Sequence, residues 1–194
     1  MERMLITVVV VATSMLVLGG PAYADDRRCA GTIGARTIDG NVIVPAGRTC
    51  RLVGTRVDDN VFVKANARLI ARGVRVGGNI QAENHLLVRV IGRWVGGRYV
   101  RSRIGGDIQL FSGRFSEIRR AVIGGNLQSK QNNRRQYAVM NRIGADLQAF
   151  SNRNGYRIHR NVIDGNLQCK SNRPRPTGDH NRVQGNKEDQ CRRM

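Results

Sequence analysis

The stretch VIGGNLQ (Val122–Gln128) returns as VIDGNLQ (Val162–Gln168), and RIGADLQ (Arg142–Gln148) lies between them. Copies of this segment, aligned on the aliphatic residue that opens each one, recur along most of the chain. The opening residues are Ile38, Val57, Val76, Val95, Ile104, Ile123, Ile143, Ile163 and Val183. Their spacings are 19, 19, 19, 9, 19, 20, 20 and 20 residues. A period near twenty predicts a solenoid, in which each repeat forms one coil.

The residues inside each copy favour strands over helices. Helical repeats usually run to about 33–47 residues, and the LxxLxL signature of leucine-rich repeats is missing. Aliphatic residues alternate, as at Val61 and Val63, and the Gly-Gly and Asp-Gly pairs favour turns. The predicted fold class is therefore all-β, a single-stranded parallel β-helix with coils of about 20 residues. About eight coils would form a rod on the order of 40 Å long.

The step of nine residues between Val95 and Ile104 breaks this period. It is either half a coil, which would divide every coil into two similar halves of about ten residues, or a bulged loop. A bulged loop would interrupt the regular surface and offer a localised binding site. The segment carries Arg93, Trp94, Arg98 and Tyr99.

The N-terminal residues predict export. Arg3 is followed by the apolar run Leu5–Leu18 and by the small-residue cleavage site Ala22-Tyr23-Ala24. This pattern is typical of a signal peptide over residues 1–24, cleaved after Ala24, and the apolar run is shorter than the roughly 18 to 20 residues that span a bilayer. The predicted product is a secreted, extracellular β-helix domain over residues 25–194, with no transmembrane segment.

The four cysteines also suit an oxidising compartment. Cys29 and Cys50 are 21 residues apart, and Cys169 and Cys191 are 22 apart, each about one coil. Spacing alone allows three pairings. The local pairing is favoured because residues one coil apart lie within disulfide reach and because the ends of a solenoid need capping. No cysteine or histidine spacing predicts a metal site, and no cofactor is predicted.

Two polar columns and a glycine column follow from stacking the coils. The fourth repeat position holds Asn41, Asn60, Asn79, Asp107, Asn126, Asp146, Asn166 and Asn186. A second column holds Gln81, Gln109, Gln128, Gln148 and Gln168. Both are interpreted as scaffold, because stacked amides hydrogen-bond one another and nearby backbone. The preceding glycines (Gly78, Gly106, Gly125, Gly165 and Gly185) are predicted to adopt positive φ, with strain at Ala145, which replaces one of them.

The chain is strongly basic, with 33 Lys and Arg, 14 Asp and Glu and a net charge of +19. Only Lys64, Lys130, Lys170 and Lys187 are lysines, which leaves 33 − 4 = 29 arginines. The residue before each opener is predicted to face outward, and there the chain places Arg56, Arg75, Arg103, Val122, Arg142, Val162 and Arg182. Guanidinium groups pair with phosphate and carboxylate, so a column of five arginines is a candidate site for a repeating anion. The alternative is a basic face that serves only solubility.

The C-terminal run GNLQCKSNRPRPTGDHNRVQGNKEDQC (Gly165–Cys191) resembles the ending of a group of secreted, largely uncharacterised actinobacterial repeat proteins. In that group GNLQC is followed by N-x-P-x-P-T-G and a closing GNK-E-x-Q-C, and Asp189 stands where the group has glycine. The resemblance covers the last quarter closely and implies a secreted β-helix-like repeat protein without assigned activity. A weaker likeness, in repeat length and aliphatic stacking, is to bactofilin-type polymer-forming β-helices.

An enzyme is the least favoured class of function. Hydrolysis of an acidic polysaccharide would need paired carboxylates, and the candidates are Asp146 with Asp164 and Asp107 with Asp146, the latter pair about 10 Å apart. The histidines His85, His159 and His180 share no column or metal spacing, and no catalytic motif is present. No nucleic-acid module is recognisable, so no specific nucleic-acid partner is predicted.

The sequence therefore predicts a secreted, non-enzymatic β-helix that binds anionic polymers, such as a wall polymer or an acidic polysaccharide, through Arg56, Arg75, Arg103, Arg142 and Arg182. The alternative is a structural or self-assembling envelope protein with no specific ligand.

Overall fold

The computed structural model describes residues 26–194, so the predicted signal peptide (residues 1–24) lies outside the described residues. The described chain is all-β and winds into a solenoid of parallel strands, as predicted. Residues one coil apart are register partners, as Val42, Val61 and Ile80 illustrate. No helix within residues 26–194 has the length and apolarity that a membrane crossing requires.

Each regular coil contributes one strand to each of three parallel sheets. Sheet A consists of Arg27–Arg28, Val42–Val44, Val61–Val63, Ile80–Glu83, Ile108–Phe111, Leu127–Lys130, Leu147–Phe150, Leu167–Lys170 and Lys187–Asp189. Sheet B consists of Thr32–Ile33, Thr49–Val53, Arg68–Arg72, Leu87–Ile91, Phe115–Arg119, Gln136–Val139 and Tyr156–His159. Sheet C consists of Thr37–Ile38, Arg56–Val57, Arg75–Val76, Arg103–Ile104, Val122–Ile123, Arg142–Ile143, Val162–Ile163 and Arg182–Val183. A coil thus has three sides, and the hypothesis of two similar halves is wrong.

The core is a stack of aliphatic layers inside the three sheets. Inward residues of sheet A form one such column, in which each side chain contacts the one a coil away. That column contains Val42, Val61, Ile80, Ile108, Leu127, Leu147 and Leu167, all fully buried. Because side chains alternate between the two faces of a strand, the intervening residues, including Gln128, face outward.

The segment around Val95 is a protruding hairpin and does not open a coil. Val76 pairs directly with Ile104, which is 28 residues later in the chain. The intervening Arg93–Val95 and Arg98–Val100 form a two-stranded antiparallel sheet of their own. Of the two alternatives left open by the sequence, the bulged loop is confirmed.

The prediction of positive φ for the glycine column is wrong. Positive φ occurs at the other two corners, between sheets A and B and between sheets B and C. The residues concerned include Asn66, Asn84, Ser112, Gln131, Ser151 and Ser171 at the first corner, and Gly54, Gly73, Arg120, Met140, Arg160 and His180 at the second. Glycine is required between sheets C and A for a different reason. A Cβ on Gly125 would lie 2.1 Å from Asp107 Oδ1 of the preceding coil.

Ala145 and Asp59 occupy this glycine column without positive φ, and the hydrogen bond beside each is longer. Where a glycine precedes the fourth repeat position, the backbone nitrogen at the fourth position donates to the Oδ1 at the fourth position of the preceding coil. The distance between these two atoms is 2.6 to 2.8 Å. After Asp59 and after Ala145 the same distance is 3.0 Å. The strain expected at Ala145 is therefore a displaced hydrogen bond and not a strained backbone.

Disulfides close both ends of the solenoid. Cys29 bonds to Cys50 with Cα atoms 5.4 Å apart, and Cys169 bonds to Cys191 with Cα atoms 5.3 Å apart. All four cysteines are buried in the core, and Cys29 and Cys191 follow the first and last strands of sheet A. The predicted local pairing is confirmed, and the two bonds indicate an oxidising environment.

Candidate polyanion-binding face

Sheet C brings the predicted arginine column into register. Arg56 pairs with Arg75, and Arg75 pairs with Arg103 on the next strand. The column continues through Val122, Arg142, Val162 and Arg182. The alternation within each two-residue strand turns the opener inward, where Val57, Val76, Ile104 and Ile143 are buried and Val183 is half-buried, and all five arginines face solvent. An open groove of about 230 Å³ runs along the first three of them.

Acidic residues are placed at the ends of this column and not in its middle. Two residues after the column the central coils have Gly77, Gly105, Gly124 and Gly144, whereas the coils on either side of them have Asp39, Asp58 and Asp164, and the last coil has Gln184. Arg56 is paired, since its Nε lies 2.6 Å from Asp58 Oδ1. Within residues 26–194, Arg75, Arg103, Arg142 and Arg182 form no salt bridge. Their positive charge is therefore uncompensated by neighbouring side chains.

Two further arginines occupy the coils in which the column has valine. Arg120 lies two residues before Val122, and Arg160 lies two residues before Val162, both exposed at the corner that leads into sheet C. Arg160, Val162 and Arg182 line one groove of about 390 Å³, which places the corner residue beside the column. We call the combined set the arginine face. It consists of Arg56, Arg75, Arg103, Arg120, Arg142, Arg160 and Arg182, one arginine in each coil after the first.

The hairpin packs against the same corner of the rod. The Arg93 side chain covers two glycines of the corner, where added Cβ atoms would lie 2.4 Å from its Nη2 at Gly54 and 2.6 Å from its Cγ at Gly73. Tyr99 packs edge to face with Trp94, with ring centroids 5.4 Å apart, and the Arg120 guanidinium lies 5.2 Å from the Tyr99 ring centroid. Trp94 itself is 70% exposed. The hairpin therefore adds an aromatic edge beside the centre of the arginine face.

The predicted asparagine and glutamine columns are hydrogen-bonded ladders. Each fourth-position oxygen accepts the backbone N–H of its counterpart in the next coil, as Asn60 Oδ1 does from Asn79 at 2.8 Å. In the later coils the outward glutamines bond side chain to side chain, with Gln128 Nε2 donating to Gln148 Oε1 at 3.2 Å and Gln148 Nε2 donating to Gln168 Oε1 at 3.0 Å. These hydrogen bonds support the structural interpretation of the asparagine column and of the glutamine column from Gln128 to Gln168.

Two further asparagine ladders, both buried, were not predicted from the sequence. Asn141, Asn161 and Asn181 stack immediately before sheet C, and Asn132, Asn152 and Asn172 stack between sheets A and B. Asn161 Oδ1 accepts the Asn141 N–H at 3.0 Å, and its Nδ2 donates to the Ala138 carbonyl at 2.8 Å. The sequence does contain a pattern that indicates them, because these asparagines recur at the same period of 20 residues. The first ladder fixes the corner from which the last rows of the arginine face project.

The carboxylates considered for catalysis are used differently. Asp107 Oδ1 accepts the Asn126 N–H at 2.6 Å, and Asp146 Oδ1 accepts the Asn166 N–H at 2.7 Å. Both aspartates therefore act as members of the asparagine ladder. Asp164 belongs to a different column and lies exposed on the far side of that turn.

The histidines divide into one buried residue and one exposed pair. His85 is fully buried, and this burial lowers its pKa to about 4 against an opposing interaction with the Ala82 backbone. His159 and His180 both contact Asp179, so two histidines that share no column or metal spacing in the sequence lie together in the structure. The hydrogen bond from His180, followed by the charges of both histidines, lowers the pKa of the Asp179 carboxyl.

A scan against protein-family models, a search of curated proteins and a search of solved structures each find no match.

Proposed function

We propose that this protein is a secreted, non-enzymatic β-helix that binds anionic polymers along the arginine face. The observation that carries the proposal is the register of sheet C, which stacks exposed arginines of successive coils above one another. Strand spacing of about 4.8 Å would separate successive rows. A polymer with anionic groups along its length can therefore contact several rows at once.

The energetics of the column favour a ligand role over a stabilising one. Two unit charges one coil apart repel by roughly 1 kcal/mol at the dielectric constant of water. Arg75 and Arg103 are register partners with no acidic partner of their own among residues 26–194. A phosphate or carboxylate bound between such rows would offset this repulsion and accept bidentate hydrogen bonds.

Weak contacts in successive rows add because the rod holds them at fixed spacing. A single exposed ion pair contributes about 0.2–1 kcal/mol, so one row alone would hold no ligand at physiological salt. Seven rows on one rigid face convert later contacts into intramolecular ones. The face therefore favours long anionic polymers, such as polyphosphates and acidic polysaccharides, over small anions.

The proposal is tested by retention of the folded protein on immobilised anionic wall polymer, on acidic polysaccharide and on vesicles containing anionic lipid, across a salt series. The face variant changes Arg56, Arg75, Arg103, Arg142 and Arg182 to Gln. The sheet B control variant changes Arg51, Arg68, Arg72, Arg114 and Arg157, which are exposed on or beside sheet B, to Gln. Both variants lose five positive charges, so the general field of the protein changes equally.

We expect one polymer to retain the wild type and the sheet B control variant at about 0.15 M salt and to release the face variant. Equal release of all three proteins at modest salt would contradict the proposal, because the charge would then act only as a diffuse field. That outcome would favour a structural role at the cell envelope.

A further inference from the structure

The last coil departs from the repeat in a way that builds a second site. Instead of a strand of sheet B it has a loop that touches the preceding coil at two isolated bridges, Arg153 to Arg173 and Arg157 to Thr177. Gly178 follows with φ of 142°, and a Cβ there would lie 1.8 Å from the Ile158 carbonyl oxygen. Only glycine allows this approach, which brings the next residue, Asp179, against the end of sheet B.

The backbone then directs two consecutive side chains to one place. Neighbouring residues of an extended strand project to opposite faces. His180 instead adopts φ of 54°, a left-handed conformation that reverses this alternation. The Arg160 N–H donates to the Asp179 carbonyl at 3.0 Å and fixes the segment over the preceding coil. Asp179 and His180 therefore converge on His159, the last residue of sheet B.

The three side chains form a compact cluster of two imidazoles and one carboxylate. Asp179 Oδ1 contacts Nδ1 of both histidines, at 2.9 Å for His180. The two rings are nearly perpendicular, at 83°, with centroids 6.0 Å apart. One ligand atom from each residue lies within 4.8 Å of the other two. The His159 side chain is 15% exposed, so one ligand is held by the fold while the other two remain accessible.

We propose that His159, Asp179 and His180 bind a divalent transition-metal ion of the Zn²⁺ class. In a tetrahedral site with bonds of about 2.0–2.2 Å, ligand atoms lie roughly 3.4 Å apart, so the ion needs only small side-chain rotations. Two nitrogen donors suit Zn²⁺, Cu²⁺ or Ni²⁺, whereas Mg²⁺ and Ca²⁺ require oxygen ligands. This proposal is independent of polymer binding by the arginine face.

The surroundings determine how the ion would be held. Arg160 and Arg182 line the same groove as His180. Their charges repel a dication and attract an anion, so we expect modest affinity and an anion or water as the fourth ligand. Three protein ligands and an open position are the arrangement of an accessible Zn²⁺ site and not of a closed structural one.

The test is calorimetric titration of the folded chain, produced without a histidine tag, with Zn²⁺ and separately with Mg²⁺. Co²⁺ titration followed by visible absorption reports whether the ion enters a tetrahedral site, because tetrahedral Co²⁺ absorbs far more strongly than the hydrated ion. The variants are Asp179→Asn, which keeps the side-chain shape, and His180→Asn, since asparagine tolerates left-handed φ. Asp164→Asn is the matched control, because it removes an exposed carboxylate outside the cluster.

We expect the wild type and Asp164→Asn to bind one Zn²⁺ per chain and no Mg²⁺. Each cluster variant should bind Zn²⁺ at least about 10-fold more weakly and lose the Co²⁺ absorption. Absence of saturable Zn²⁺ binding to the wild type would overturn the proposal. So would equal Zn²⁺ affinity of the cluster variants and the control, since the ion would then bind elsewhere. Thermal unfolding of each variant verifies that the fold persists.

Discussion

The two halves of the solenoid build the same corner from different side chains. Before sheet C, the buried position holds Thr55, Val74, Ser102 and Ala121 in the N-terminal coils (residues 38–122). In the C-terminal coils (residues 123–183) the same position holds Asn141, Asn161 and Asn181. One half thus relies mainly on small and aliphatic side chains, and the other on amides that bond each other and the backbone.

The change of chemistry coincides with a change of coil length from 19 to 20 residues. Phe111 and Lys130 are register partners, and so are Ser116 and Gln136. The corner between them therefore spans residues 112–115 in one coil and 131–135 in the next. The longer corner contains Asn132, the first of its ladder. Coil length therefore follows the way in which a corner satisfies its buried groups, while the three sheets continue unchanged.

The largest expected effect is a loss of stability when the buried residue before sheet C is truncated to alanine in each half of the solenoid. Asn161→Ala would leave the buried Asn141 N–H and Ala138 carbonyl without partners. At about 1–3 kcal/mol for each group, the free energy of unfolding should fall by about 4 kcal/mol. Val74→Ala removes only aliphatic contacts and should cost about 2 kcal/mol. Denaturant unfolding measures both, and equal losses would mean that the ladder adds nothing beyond packing.

A somewhat smaller loss of stability is expected on acidification, because the N-terminal half contains the buried His85. His85 occupies the corner column that holds Asn132, Asn152 and Asn172 in later coils, and its ring lies where Gly113 has no side chain. Its folded pKa of about 4 is below the ordinary histidine value of 6.5, so the unfolded chain binds the proton more tightly. Stability is therefore complete above pH 6.5 and falls by about 3 kcal/mol as the pH approaches 4.

The His85→Leu variant isolates this contribution from that of the carboxylates. Between pH 7 and 4 its stability should fall by about 3 kcal/mol less than that of the wild type, measured by denaturant unfolding at each pH. Parallel curves for the two proteins would show that His85 is not the acid-sensitive group.

The smallest expected change in stability comes from substitutions in the glycine column, at the boundary between the two halves. Gly125→Ala should push Asp107 Oδ1 away from the Asn126 N–H and cost about 1 kcal/mol. Ala145→Gly, one coil later, should change stability by less than about 0.5 kcal/mol, because a shorter hydrogen bond is offset by the backbone entropy of glycine. Thermal unfolding of the two variants tests this asymmetry, and an equal loss in both would refute the steric explanation.

Sequence periodicity was sufficient for the parts of the molecule that repeat. The spacing of the openers predicted the coils, and the one-coil spacing of Cys29–Cys50 and Cys169–Cys191 predicted both disulfides. The same alignment placed the five arginines in one column, which sheet C confirms as an arrangement. Their binding role stays a prediction.

The features that the sequence did not predict depend on contacts between coils, which cannot be recognised within a single repeat. The glycines were assigned positive φ because turns commonly need it, whereas the actual constraint is the side-chain oxygen of the preceding coil. Val95 matched the repeat motif yet belongs to the hairpin, since only strand pairing distinguishes a coil from an insertion. His159 and His180 meet because Gly178 folds an irregular loop back onto the rod, which spacing alone does not indicate.

The central claim, that anions bind along the rod, is tested most directly with linear inorganic polyphosphates of increasing length. Arg56 and Arg182 are six register steps apart, or about 29 Å at strand spacing. At about 0.15 M salt, wild-type affinity should rise with chain length until the polymer spans this distance and then level off. The sheet B control variant should follow the same curve, and the face variant should bind weakly at every length. Identical length dependence in the face and control variants would contradict the account.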